Sequence, residues 1–129
     1  MREMDWKTDI MLEKLIEESN LTSKQLKALL LYSDNIEQRI VKNGYVYFDG
    51  KRIPKGVFYR ILSQAKENVR KSVVTLIIMS YTGLMDTSQF SAIMQITDIM
   101  MQIKGQDEDV TNALLEKLKA VVNIRKRAK

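Results

Sequence analysis

The residues best able to do chemistry lie together in segment 51–71, where Lys51, Arg52, Lys55, Arg60, Lys66, Arg70 and Lys71 stand against a single acid, Glu67. Seven cations less one anion give a local net charge of +6, more than the +5 of the whole 129-residue chain, so the basicity is concentrated rather than diffuse. A dense positive patch on one short segment attracts phosphate, and nucleic acid is the first partner it implies. Lys51 and Arg52 are placed to clasp phosphates as a wing. The helix start at Pro54-Lys55-Gly56 offers backbone N–H groups to another phosphate, and Tyr59, Arg60, Ser63 and Gln64 are spaced to meet base edges in a major groove. Lys66, Arg70 and Lys71 extend the same cationic strip. The competing reading is a solvated helix face whose charges confer solubility, as most charge runs do.

Other chemistries find little support in the residue set. Catalysis needs a nucleophile with an adjacent base, paired carboxylates or a metal site, and none is legible. The absence of His and Cys removes the commonest general base, the commonest metal ligand, thiolate nucleophiles and disulfides together. Glu17-Glu18 and Asp107-Glu108-Asp109 read as solvated carboxylates or a helix start. Gly44, Gly50, Gly56, Gly83 and Gly105 are dispersed and form no phosphate-cradling loop. The expectation is no enzyme, no cofactor and no metal.

The elements that must position the patch can be read from periodicity. Tyr45-Val46-Tyr47-Phe48, Asp49-Gly50 and Lys51-Arg52-Ile53 spell a β-hairpin over 45–53 with a type I′ turn. Its aromatic residues, Tyr45, Tyr47 and Phe48, read as cross-strand packing, with stacking on single-stranded bases as the alternative. Pro54 ends the second arm and opens a helix running to about residue 82. Phe58, Leu62, Ala65 and Val69 form the apolar stripe of that helix, opposite Tyr59, Arg60, Ser63, Gln64, Arg70 and Lys71. Beyond Ser72, residues 73–79 are apolar nearly all round, which predicts a second half buried in the interior of the domain or of an oligomer.

Upstream, the spacing of Met11, Leu12, Leu15 and Ile16 predicts a short amphipathic helix over 4–19. Thr22 and Gln25 form a capping box for a second helix with Leu26, Leu29, Leu30, Ile36, Ile40 and Val41 on its apolar face. Asn43-Gly44 is expected to end that helix, and Ser33-Asp34-Asn35 can break it in two. Downstream, Gly83 is a left-handed stop, and Asp86 with Gln89 caps a helix bearing Phe90, Ile93, Met94, Ile96, Ile99, Met100, Met101 and Ile103. Gly105 closes it. The acids at 107–109 open a last helix with Val110, Leu114, Leu118 and Val121 inward, and the basic tail 125–129 should fray.

Length and composition fit one domain over 1–129, with a nucleic-acid-binding part at 21–72 and a helical core or dimerisation part at 73–124. No apolar run reaches the roughly 18 residues of a membrane span, and the acid-rich start over 1–20 lacks a signal-peptide pattern, so a cytoplasmic location is expected.

Leu21-Thr22-Ser23-Lys24-Gln25-Leu26 followed by Leu29 resembles the opening helix of helix-turn-helix transcription regulators of the Tfx and sigma-region-4 kind. Ala65-Lys66-Glu67-Asn68-Val69-Arg70-Lys71-Ser72 resembles the phrase closing the recognition helix of the Tfx-like regulators. The resemblance implies that 55–71 is the recognition helix. A Tyr-rich hairpin stands where those families have their tight turn. The expected architecture is therefore mainly α, about five helices with one hairpin, a winged or modified helix-turn-helix whose C-terminal helices hold a homodimer on duplex DNA. Two alternatives remain open: a helical protein-interaction subunit of a larger assembly, and a single-stranded nucleic acid or RNA binder.

Overall fold

The computed structural model describes residues 9–34, 40–103 and 107–124. Among them the chain runs α1 (Ile10–Glu17), α2 (Ser23–Asp34), β1 (Val41–Lys42), β2 (Tyr45–Phe48), β3 (Lys51–Pro54), α3 (Lys55–Tyr81), α4 (Thr87–Ile103) and α5 (Glu108–Val121). It is mainly helical with one small antiparallel sheet of order β1-β2-β3. The described residues sort into two units, one from 18–72 and one from 9–17 with 73–124, so α3 contributes residues to each.

In the first unit, Thr22 and Gln25 cap α2 reciprocally: the Gln25 amide donates to Thr22 Oγ1 and the Thr22 amide to Gln25 Oε1, both at 3.1 Å. The sheet is built on two tight turns. Asn43 and Gly44 have φ of 54° and 83°, and Asp49 and Gly50 have φ of 53° and 85°, the paired positive values of a type I′ turn. Asn43-Gly44 therefore joins β1 to β2 and does not end the second helix. Val41 sits in a strand and Ile40 packs beneath the sheet, while α2 stops at Asp34. The apolar pair Ile40-Val41 suits a helix stripe and a strand equally, and the turn decides between them. Ile36 and Asn35 lie outside the described residues.

Register does the rest. Val41 pairs with Val46 and Val46 with Ile53, so these side chains share the inner face, while Lys42, Tyr45, Tyr47 and Arg52 share the outer one. The inner face packs with Ala28 of α2 and with Phe58 and Leu62 of α3. Phe48 meets Phe58 edge-to-face, with ring centroids 5.4 Å apart and planes at 71°. The start of α2 is tied to α3 by polar side chains. Asn68 Nδ2 donates to the Asn20 carbonyl and to Gln25 Oε1 at 3.0 and 3.1 Å, and Asn20 Nδ2 donates to Ser72 Oγ at 3.1 Å.

In the second unit the Asp9 side chain opens α1 by accepting from the Leu12 amide at 2.8 Å, a later start than residue 4; positions 4–8 lie outside the described residues. The box at Asp86 and Gln89 forms in both directions, at 2.9 and 3.1 Å. Asp107 caps α5 by accepting from the amides of Asp109 and Val110. Met11, Ile96, Met100 and Leu115 make the core, with Leu15, Ile103, Leu114, Leu118 and Val121 packed against it. Val110 is exposed. Leu114, Leu118 and Val121 face the core as expected, and the fully buried positions of α5 are Thr111 and Leu115 beside them. Gly105 and the tail 125–129 lie outside the described residues.

The second half of α3 is not buried by the described residues of the single chain. Val73, Val74, Leu76, Ile77 and Ile78 are exposed in the single chain, Ile77 at 58%. Val69, expected on the apolar stripe, is exposed as well. A helix that is apolar all round needs cover on every side, and within one chain those side chains do not receive it.

Two stability outcomes follow from these details. A Cβ at Gly50 would meet open space, so Gly50→Ala should cost only the positive-φ penalty, about 1–2 kcal/mol by urea unfolding; a neutral result would mean the turn is not type I′. Thr111 is fully buried and its hydroxyl has no hydrogen-bond partner among the described residues. Thr111→Val should therefore leave the free energy of urea unfolding unchanged or raise it, by up to about 1–3 kcal/mol.

Candidate nucleic-acid interface

All ten side chains singled out by the sequence are exposed: Lys51, Arg52, Lys55, Tyr59, Arg60, Ser63, Gln64, Lys66, Arg70 and Lys71. They do not form a single surface. Phe58, Leu62 and Ala65 turn one side of α3 into the core, which sends Arg60, Ser63 and Gln64 to the side away from the sheet. Arg52 alternates to the outer face of the sheet, beyond the opposite side of that core. Arg52 and the outward cations of the helix thus lie on different faces of the first unit, whereas Lys51, paired with Phe48, is on the core side of the sheet at its exposed edge. The idea of a wing and a helix closing on one groove needs this correction as far as Arg52 is concerned.

Several of the cations already have local partners. Arg70 forms a two-pronged pair with Glu67, Nε to Oε1 at 2.7 Å and Nη2 to Oε2 at 2.8 Å. The hydrogen bond from Arg70 holds the Glu67 carboxyl below its ordinary range, against a small opposing desolvation and with help from the charges of Arg70 and Lys71. The same hydrogen bond pushes Arg70 up. Lys66 Nζ lies 4.3 Å from the Tyr32 ring centroid, and the Arg52 guanidinium lies 4.6 Å from that of Tyr45, both in cation–π range. Tyr59 leans its ring edge-on against Phe58 at 5.3 Å. No carboxylate among the described residues pairs with Lys51, Lys55 or Arg60.

The first turn of α3 is less open than its sequence suggests. The Lys55 amide donates to the Gly44 carbonyl at 3.0 Å, so the turn between β1 and β2 uses the first N–H that a phosphate would have taken. Asp49, the acid of the hairpin, is drawn toward α2 by Lys27 Nζ at 3.0 Å. Of the three hairpin aromatics, Phe48 is buried, whereas Tyr45 and Tyr47 look outward at 42% and 70% exposure. Phe48 is thus removed as a stacking candidate by its contact with Phe58.

Lys42 is the functional candidate that sequence reading missed. It pairs with Tyr45 on the outer face. The signal was present, because Asn-Gly between two apolar pairs is a hairpin dipeptide as strong as Asp-Gly. Asn68 and Ser72, read as part of a recognition-helix phrase, hold the beginning of α2 instead. Among the described residues no group of His, Cys, Asp or Glu side chains is arranged to hold a metal, and no helix is long and apolar enough to cross a membrane. Compared with known protein families, with curated proteins and with solved structures, the chain matches none.

Proposed function

We propose that this is a DNA-binding protein, a cytoplasmic transcription regulator of modified helix-turn-helix kind that engages duplex DNA through the outward side of α3 and acts as a homodimer. The observation that carries the reading is the state of the charges. The lone acid of segment 51–71 is spent on Arg70, while Lys51, Lys55 and Arg60 stay exposed with no carboxylate partner among the described residues. A cationic surface whose counter-charge is absorbed locally keeps its remaining positive field for an external anion. Arg60 and Gln64 have donor geometry suited to guanine and adenine edges, and they lie on the side of α3 away from the core.

Each phosphate contact releases condensed counterions, so binding to duplex DNA should weaken steeply with salt. Replacing Lys51, Lys55 and Arg60 together by Ala should reduce the slope of log K against log salt by about 0.9 for every phosphate contact removed. An unchanged curve for a folded triple variant rejects the assignment. Gln64→Ala, if Gln64 reads a base, should cost about 1–3 kcal/mol at one operator position and little elsewhere.

The homodimer rests on apolar surface. Besides the second half of α3, α4 exposes Met94 at 61% and Met101 at 71%, a quantity of apolar area that marks an interaction site more often than free surface. Because both methionines are exposed in the single chain, Met94→Asp with Met101→Asp should leave the monomer folded and shift sedimentation from dimer to monomer, since an unpaired carboxylate is costly to bury. The same surface favours a second reading, a helical subunit docked on another protein. A monomeric wild type with no affinity for duplex DNA would favour that reading over the first.

A further inference from the structure

The outward face of the sheet brings together two aromatic rings and two cations. Lys42 stands beside Tyr45 across one strand pair and Arg52 opposite Tyr47 across the other, while Val46, Phe48 and Ile53 turn to the core. The Arg52 guanidinium lies over the Tyr45 ring at 4.6 Å, which leaves Tyr47, at 70% exposure, as an open ring across from Arg52, with Lys42 one strand pair along the same face. The nearest acid in sequence, Asp49, is held by Lys27 on α2. The face therefore presents planar apolar surface flanked by positive charge, with no acid among the strand residues that form it.

We propose that this face is a stacking platform for unpaired nucleobases, with a base on Tyr47 and the adjoining phosphates held by Lys42 and Arg52. Bases in a duplex already stack on both neighbours and offer no free π-face, so the ring selects an unpaired strand. Charge complementarity selects a polyanion among planar ligands. The site lies on the opposite side of the first unit's core from Arg60 and Gln64 and shares only Arg52 with the ten residues singled out for duplex contact, so it stands or falls independently of duplex recognition.

The test is fluorescence anisotropy of the full chain with labelled oligo-dT, oligo-rU and a blunt duplex, using wild type, Tyr47→Ala, Tyr47→Phe and the double variant Lys55→Ala with Arg60→Ala. Circular dichroism and urea unfolding confirm that each variant folds. Tyr47→Ala should weaken single-strand binding roughly 5- to 150-fold, the range of one lost base stack, with duplex affinity unchanged. Tyr47→Phe should retain single-strand binding, and the double variant should lose duplex affinity first. A loss confined to oligo-rU assigns the platform to RNA, one confined to oligo-dT assigns it to single-stranded DNA, and either supports it. A folded Tyr47→Ala variant that binds both oligomers as wild type does, or that loses duplex and single strand equally, overturns the proposal. So does a wild type without affinity for either oligomer.

Discussion

Phe58 is fully buried and receives the edge of Phe48 at a centroid separation of 5.4 Å. Aromatic pairs in this geometry contribute beyond the area they bury, and here the pair also fixes orientation. Once Phe48 points inward, the two-residue period of a strand sends Tyr47 and Tyr45 outward, and register carries Arg52 with them. Once Phe58 points inward, the helical period brings Leu62 and Ala65 to the same side and Arg60 to the other. A single contact therefore decides that the cations of segment 51–71 serve two faces. Truncating either ring would loosen both faces together, whereas changes at Tyr47 or Arg60 leave the contact alone.

Electrostatics then sorts those cations by availability. Arg70 with Glu67 and Lys27 with Asp49 are exposed ion pairs of the kind that contribute little to stability. Their effect is on the surface field: each removes an acid that would otherwise offset a neighbouring lysine or arginine. Lys66 over Tyr32 and Arg52 over Tyr45 are different, because a ring under a cation orients it without cancelling its charge. Pre-oriented cations lose less side-chain entropy when an anion arrives than freely rotating ones do. The first unit thus carries ring-braced cations on both its helix and its sheet, Lys66 and Arg52, beside Lys51, Lys55 and Arg60, which no carboxylate among the described residues pairs.

Most of this was legible where the chain states its structure locally. The capping boxes at Thr22/Gln25 and Asp86/Gln89, the Asp49-Gly50 turn and the start of α3 after Pro54 all depend on residues within a few positions of each other, and each forms as read. The misreadings share a different cause. Ile40-Val41 fits either period, so only the pairing of β1 with β2 reveals a strand, and with it Lys42 was lost from the candidate site. The division of Arg52 from Arg60 depends on which faces of sheet and helix meet, which is a long-range fact that charge counting cannot reach. For residues 73–79 the sequence left open whether the domain or an oligomer covers them, because hydrophobicity says that a surface seeks cover, not that the same chain supplies it.

That third case bears on why α3 is 27 residues long. Its first half has an inner face and an outer one, as a helix lying on a core should. Its second half carries Val73, Val74, Ile77 and Ile78, β-branched residues with only moderate helix propensity, and still runs as α-helix to Tyr81, where Gly83 and the bond from the Met85 amide to the Met79 carbonyl stop it. In proteins most helical stability comes from packing rather than propensity, so this stretch is expected to gain order when its apolar sides are covered. On the proposed assembly a second copy supplies that cover, and it delivers a second basic segment to the same nucleic acid at high effective concentration. Each module would then need only modest affinity of its own. That suits a surface where much of the charge is braced by rings or spent on neighbouring acids, and where Lys51, Lys55 and Arg60 have no carboxylate among the described residues.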